Sequence, residues 1–404
     1  MSPPPPGRAT ALLVVLGALS AFGPITTDLY LPSLPEVAGD LDVAPSQVQA
    51  TLTACLVGLA VGQAIAGPLS DSYGRRRPLL IGIGLFALAS LGCAAAPSVV
   101  VLDVLRLVQG LCGAAGIVLA RAIVRDRWTG VQMARIYAAL MGAVSLGPIL
   151  APTIGGALLG FMDWRGLFVV LAGFGVVLLV TCATWVPETL VPERRRDVGL
   201  LVTLRVGRRL MADRVFAGYS IASGLAFGAL FSYISGSSFV YQDVFGVSPQ
   251  VYGLLFALNG CALLLANVIN HRLQERIGSE RLLRAGLLAV LGGAVLLTAS
   301  VVAGAGLAGV IPSLFIAVGG LGFVPSNSVA LALGPHGADA GTASALIGVI
   351  QFLIGAIAAP LAGVAGESAV PMAIGMLAFS GASLLTLRAL VGRSHVVEQP
   401  RQAA

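Results

Sequence analysis

The sequence predicts an all-α membrane protein of twelve transmembrane helices, arranged as two pseudo-symmetric six-helix halves. Three observations carry that prediction. The 404-residue chain is 57% hydrophobic and only 10% charged, where a soluble domain carries about 25% charged residues. Apolar runs near or above the ~20 residues of a spanning helix recur twelve times, and two pieces of the first half return in the second at nearly one offset. Twelve spans leave no room for a large soluble domain. With no G-x-x-x-x-G-K-[ST] loop either, a nucleotide-driven pump is disfavoured.

Taken in order, residues 1–8 with the Pro3 to Pro6 tract are expected to form an extended, disordered tail. Arg8 and the Ala11 to Phe22 run have the look of a secretory signal, but the apolar stretch outlasts a signal core, so Ala9 to Leu34 reads as span 1. Spans 2 to 6 follow at Gln47 to Leu69, Pro78 to Ala96, Ser98 to Ala120, Val131 to Leu159 and Arg165 to Val186, completing a half over residues 9–189. Residues 190–213 are the long polar stretch and the domain boundary. Within them, Leu200 to Met211 is either an interfacial helix with Arg205, Arg208 and Arg209 at the headgroups or a disordered linker. The second half, 214–390, holds spans 7 to 12 at Val215 to Tyr241, Pro249 to Asn270, Leu282 to Ala303, Leu307 to Leu333, Gly341 to Gly363 and Val370 to Leu390, with a tail over 391–404. Aligning Gly74 with Gly278 sets Asp71 over Glu275 and Arg77 over Arg281. Gly147 to Gly155 likewise reads against Gly355 to Gly363, so the second half is a copy of the first.

Charge supplies orientation. All 24 basic residues are arginines; Arg106 lies inside a span, and of the rest only Arg165 falls opposite the N-terminus. Both termini and residues 190–213 are therefore expected in the cytoplasm, with the chain in a cell inner membrane. Glu36, Asp40, Asp42, Asp163, Asp243 and Glu367 lie on the other side. The net charge of +6 reports topology and contact with anionic lipid rather than nucleic acid. Cys55, Cys93, Cys112, Cys182 and Cys261 fall within spans without paired spacing, which argues against a disulfide framework.

Between spans 2 and 3 stands Gly67-Pro-Leu-Ser-Asp71-Ser-Tyr-Gly74-Arg75-Arg76-Arg77. So short a hairpin makes its two helices antiparallel neighbours, with Gly67 and Gly74 allowing close approach and tight turning. Asp71 can pair with an arginine or cap a helix start. The segment resembles the loop 2–3 motif of the major facilitator superfamily, although Ser72 replaces the usual arginine. The resemblance implies that Asp71, Gly74, Arg75 and Arg76 latch the cytoplasmic helix ends. In span 5, Gly147, Ala151 and Gly155 share one face, and Pro148 and Pro152 bend the helix. Gly147 to Gly156 resembles the superfamily's antiporter motif, which implies an interface with span 8 that seals the extracytoplasmic side. Ordinary small-residue packing remains the alternative.

Span 1 contains Thr26-Thr-Asp28-Leu-Tyr30-Leu-Pro-Ser-Leu-Pro35. Asp28 lies ~9 Å from the outer end of its helix and is the deepest carboxylate by pattern. A carboxylate inside the membrane is expensive to keep charged, which suits it to binding and releasing a proton; a watery vestibule around it is the competing reading. The pattern resembles the span 1 signature of drug:proton antiporters of the bicyclomycin/chloramphenicol-resistance type. Arg106, ~12 Å below the outer boundary, belongs to a stretch that resembles the superfamily's R-x-x-Q-G motif, which implies a part in proton transfer. Its expected partner is Asp28, or Asp103 one turn away in a purely structural pair.

His271, His336 and His395 fall in loops or the tail, so carboxylates must carry any proton. Candidate substrate contacts are Tyr30, Gln63, Gln109, Tyr233, Ser237, Phe239, Gln242, Asn259 and Gln351, apolar-pocket residues with a few polar handles. The resemblance implies proton-coupled export of small amphipathic drugs by a monomer, with no metal and no cofactor besides the coupling proton. A sugar or metabolite transporter of the same fold is the alternative. A membrane enzyme or sensor would need a catalytic cluster that these histidines do not provide.

Overall fold

The computed structural model describes residues 6–191, 193, 200–335, 340–363 and 368–392, and the regular elements among them are helices. Residues 1–5, the arginine run 194–196 and residues 393–404 lie outside the described residues, as do His336, Glu367 and His395.

Span 1 is broken. It comprises α1 (Pro6–Ser20), α2 (Phe22–Asp28), a 3-10 turn over Leu31–Ser33 and α3 (Leu34–Asp40). The expected single helix over Ala9 to Leu34 instead bends by 47° between Ser20 and Phe22. Pro24 explains the bend: it has no N–H for the Ser20 carbonyl, and its ring crowds that carbonyl. Helix also replaces the expected extended tail at residues 6–8. A proline at the first helical position gives up only an N–H that no intrahelical bond would use.

The first half continues through α4 (Pro45–Tyr73), α5 (Arg76–Ala94), α6 (Val99–Arg127), α7 (Gly130–Leu158) and α8 (Trp164–Trp185). Helices α4 and α6 cross on glycine. A side chain at Gly58 or Gly62 would strike the backbone of Leu107 or Leu111, and one at Gly110 would strike the Cys55 carbonyl. Absence of Cβ atoms lets the two backbones touch, which substitutes for a hydrophobic driving force that lipid does not supply. By contrast, a Cβ at Gly67 would meet nothing within 4 Å. The close approach expected there between spans 2 and 3 is made instead between spans 2 and 4, one to two turns earlier, and α5 packs on α6 and α8 rather than along α4.

Between the halves, α9 (Leu200–Ala212) is a helix rather than a disordered linker, with Leu210 buried and Arg205, Arg208 and Arg209 exposed. The second half contains α10 (Arg214–Phe239), which passes into a π turn over Val240–Val244, then α11 (Pro249–Ile277) and α12 (Ser279–Val302). Span 10 is split into α13 (Gly306–Leu321) and α14 (Val324–Leu333); α15 (Ala340–Leu361) and α16 (Val370–Thr386) complete the half. Among the described residues eleven helices are long and apolar enough to cross a bilayer, and twelve once the bent first pair is counted as one span.

Leu88, Val104, Val177, Leu254 and Leu385 are exposed, as befits surfaces solvated by acyl chains. Cys261 is also exposed, while Cys55, Cys93, Cys112 and Cys182 are buried, and all five are free thiols. The repeated turn is structural as well as sequential: Gly74 has φ 90° and Gly278 φ 85°, a backbone conformation that side chains disfavour. The halves meet where α7 packs on α11 and α4 on α15.

Candidate functional site

Asp28 ends α2 and is 4% exposed. The Thr27 hydroxyl donates to its Oδ1 at 2.7 Å. Arg106, fully buried, comes to the same level from α6: its Nη1 donates to the Thr26 carbonyl at 3.1 Å and to Gln109 Oε1 at 2.6 Å. The matched depth read from sequence therefore holds. The partner does not. Neither Asp28 nor Asp103 lies within 4.0 Å ion-pairing range of Arg106 among the described residues. The guanidinium instead rests on aromatic faces, 5.0 Å from the Tyr30 ring and 5.6 Å from that of Phe168, contacts that gain strength when desolvated. Its Nε and Nη2 have no acceptor, nor has Asp103 Oδ1 a donor.

Gln109 and Tyr30, two of the candidate substrate contacts, both touch Arg106. Gln109 Nε2 donates to Ser90 Oγ at 2.7 Å, and Ser90 donates onward to the Phe86 carbonyl. That chain holds the arginine's amide partner in a fixed orientation. The Tyr30 hydroxyl accepts from Thr51 at 3.4 Å, and its ring packs 5.1 Å from Phe168.

Across the molecule, α10 and α11 present a neutral aromatic and amide cluster. Asn259 Nδ2 donates to the Tyr233 hydroxyl at 2.9 Å, and the Tyr233 ring stacks on Phe256 at 5.2 Å. Ser237 shares a hydrogen bond of 3.1 Å with the Tyr252 hydroxyl. The buried Tyr241 hydroxyl lies against the same Asn259 side chain. Asp28 lies within electrostatic reach of Tyr233 and Tyr252 of the other half. Tyr252 and Phe256 escaped the sequence reading although they precede Asn259 by seven and three residues, on one helical face.

The remaining candidates lie apart. Phe239 belongs to the apolar core. Gln242 Nε2, carried by the π turn, donates to the Pro32 carbonyl at 2.9 Å. Gln351 donates to Ser223 at 2.9 Å, and Gln63 lies beside Gly348 with its amide nitrogen unpartnered.

On the arginine-poor face the halves are sealed. Gln49 donates to the Ser235 carbonyl, Thr53 to Ala356, Thr153 to Gly253 and Ser238 to Leu31, at 2.7 to 3.2 Å. Helix α7 contributes two separate stripes. Side chains at Gly147 and Gly155 would strike Pro24 and the Leu29 carbonyl of span 1, within the same half, and Ala151 between them is buried. The contact with α11 is made by the neighbouring stripe: Gly156 abuts the Pro249 carbonyl, Gly253 the Pro152 carbonyl, and Gly260 Ile149. The expected interface with span 8 exists, but Gly147, Ala151 and Gly155 seat the bent span 1 instead. Pro148 and Pro152 both lie inside the continuous α7.

At the arginine-rich face, Arg75 is 3% exposed and gathers three helix ends. Its Nη1 meets Asp71 Oδ1 and Ser70 Oγ at 2.6 Å, and its Nε meets Asp126 Oδ2, at the end of α6, at 2.9 Å. Glu188, just beyond α8, accepts the backbone N–H groups of Arg75 at 2.8 Å and Arg76 at 3.1 Å. Burial works to raise the Glu188 carboxyl, but donors at Leu190, Arg75 and Arg76 outweigh it and hold the group below the usual carboxylate range. The latch thus stays within the first half. Asp126 is not singled out by the sequence, and nothing local ties it or Glu188 to Arg75.

This geometry has known relatives. The Major Facilitator Superfamily model matches residues 13–360. An uncharacterized MFS-type transporter of Bacillus subtilis, YdgK, is 43% identical over 92% of this chain and 95% of its own length. The bicyclomycin resistance protein homolog of Haemophilus influenzae is 33% identical over 95% of this chain and 96% of its own, in keeping with the resemblance drawn on span 1. Among solved structures, the xylose transporter XylE from E. coli in a partially occluded inward open conformation superposes with a TM-score of 0.73, covering 95% of this chain and 98% of that one. At 16% identity the last likeness speaks to the fold.

Proposed function

The chain belongs to the major facilitator superfamily, and on that premise we propose that it exports small amphipathic drugs, phenicol- or bicyclomycin-like, in exchange for protons. The observation that carries this reading is Asp28: a buried carboxylate at a break in span 1, held by Thr27 and within electrostatic reach of two tyrosines of the other half. Proton and drug compete for one centre. A drug seated on Tyr233, Phe256 and Asn259 approaches Asp28 and favours loss of its proton, and reprotonation favours drug release. Arg106 reaches the same turn through the Thr26 carbonyl, two residues from Asp28. The likeness to a bicyclomycin resistance protein homolog supports the substrate class.

Alternating access follows from unequal closure of the two faces. The seal of α7 on α11 and of α10 on span 1 closes the arginine-poor side, which the arginine distribution makes extracytoplasmic. The Arg75 latch keeps the ends of α4, α6 and α8 together as one body on the cytoplasmic side. One proton falling through ~100 mV supplies ~2.3 kcal/mol, and at ~1.4 kcal/mol per factor of ten it sustains roughly a fifty-fold drug gradient. The protein works as a monomer in the inner membrane with both termini in the cytoplasm.

Proteoliposomes holding the purified protein and a pH-sensitive dye test the reading. A phenicol or bicyclomycin added on one side should drive proton movement and be concentrated against its gradient when a pH difference is imposed. Counterflow of a sugar with no response to either antibiotic would move the assignment to a metabolite transporter. For orientation, Arg208→Cys in a variant lacking the five native cysteines should resist an impermeant thiol reagent in intact cells; rapid labelling would invert the topology.

A further inference from the structure

A cleft of 620 Å³ opens at the arginine-rich end of the first half. The first residue of α5, Arg76, the last residue of α6, Arg127, and Trp185 and Glu188 around the end of α8 line it, together with Leu12 of α1. Neither arginine has a carboxylate within ion-pairing range among the described residues. Arg76 donates Nη2 to the Ala183 carbonyl at 2.6 Å, while its Nε is shielded and lacks an acceptor. Arg127 lies 5.7 Å from the Trp128 ring. The one acid in the lining, Glu188, already accepts the backbone N–H groups of Arg75, Arg76 and Leu190. The cleft therefore keeps a surplus of positive charge beside an apolar wall.

Its position identifies the occupant. Helix ends at this level lie among lipid headgroups, and the 45%-exposed Trp185 has the amphipathic ring favoured there. Guanidinium groups match phosphate oxygens in a fork that ammonium groups do not, and basic pockets between spanning helices are built to take acidic headgroups. We propose that this cleft seats the phosphodiester headgroup of an anionic membrane lipid, with Arg76 and Arg127 on the phosphate and an acyl chain along Leu12 and Trp185. The second half does not repeat its Arg76. Glu280 stands where the repeat would place Arg76, and it is tied to Arg284 at 2.5 Å. Because the Arg76 backbone also holds Glu188, an occupied cleft braces the latch.

The test uses the full chain in nanodiscs of equal phosphatidylglycerol and phosphatidylcholine, with retained lipid counted by native mass spectrometry. Preferential retention of phosphatidylglycerol is expected, and Arg76→Gln and Arg127→Gln should each lower that preference about fivefold. Equal retention of the two lipids by the parent overturns the proposal, as does an unchanged preference in Arg127→Gln. The latter variant makes no change to the latch, so it remains decisive if Arg76→Gln does not fold. Displacement of the retained lipid by millimolar sn-glycerol 3-phosphate would assign the cleft to a soluble phosphate and overturn the lipid reading; persistence of the lipid supports it.

Discussion

The two halves share a fold but bury different chemistry. Asp28, Arg75 and Arg106, the charged side chains buried among the described residues, all belong to the first half. The second half buries neutral polar groups: the serines of α10, Tyr233, Tyr252, Asn259, Asn270 and Asn327. The contrast is sharpest at the repeated turn. Around Gly74, Arg75 ties Asp71, Asp126 and, through its backbone, Glu188. Around Gly278, Ser279 takes the place of Arg75 and accepts from the Gln274 amide at 3.1 Å, while Asn327 donates to Asn270 at 2.6 Å and Asn270 to Ser326 at 3.1 Å. The copy shows that turn and packing stand without a buried charge, its Glu280–Arg284 pair being partly exposed. A buried charge costs several kcal/mol unless it is well paired, so those of the first half answer to a requirement beyond folding. On the proposed reading, one half handles the proton and the latch, and the other supplies a neutral surface for the drug.

Asp28→Asn should break this division most completely. The amide keeps size and hydrogen bonding but cannot titrate, so drug-induced proton release should vanish in proteoliposomes while drug binding to the second half's cluster survives. Proton-dependent uphill efflux by the variant would pass the carrier role to Asp103. Next in size is Gly155→Leu. Its side chain meets the Leu29 backbone, so span 1 should be displaced and transport lost at normal expression. Gly67→Leu, on α4 and facing open space in this state, should keep most activity; equal damage from both would mean that Gly67 meets a neighbour in another state of the cycle.

The latches should differ in strength as well as in kind. Arg75→Gln leaves Asp71 and Asp126 facing each other without their cation, and a loss of about 3 kcal/mol is expected from a pair that is buried on one side. Asn327→Ala removes amide hydrogen bonds only, for a loss of about 1–2 kcal/mol. Thermal unfolding in detergent measures both. If the asparagine variant proves the less stable, the amide cluster rather than the ionic latch is the stronger clamp.

What the sequence disclosed was local. The positive-φ turn at Gly74, the amphipathic α9 and the common depth of Asp28 and Arg106 each follow from patterns spanning a few turns of chain, and each is present. What it concealed was tertiary. Asp126 lies 51 residues and Glu188 113 residues from Arg75, and no periodicity announces such a meeting. Arg106 was matched to carboxylates by charge, yet aromatic faces and Gln109 were closer to hand. The small-residue face of α7 was legible as a close-packing surface. Its partner was not, because spacing on one helix says nothing of which neighbour arrives. The bend before Phe22 was written in Pro24, but hydropathy weighs length and passes over a missing N–H.

The smallest expected effect tests whether the ionic latch responds to acid while its neutral counterpart does not. Glu188 is held below the ordinary carboxylate range in the folded protein by backbone donors that outweigh its burial. A depressed carboxyl binds fewer protons folded than unfolded. Its stabilisation is therefore fully present above the unfolded value of ~4.3 and is lost as pH falls through the lower, folded value. Glu188 is partly solvated, so its contribution is screened, and Glu188→Gln should cost only about 1 kcal/mol near pH 7. That deficit should shrink as the pH approaches 4, where the parent begins to lose the same charge. Asn327→Ala should show a deficit that stays constant across the range. Parallel curves for the parent and Glu188→Gln would mean that the carboxylate adds nothing to the latch beyond what a neutral amide can accept, and the contrast between the halves would then rest on Arg75 alone.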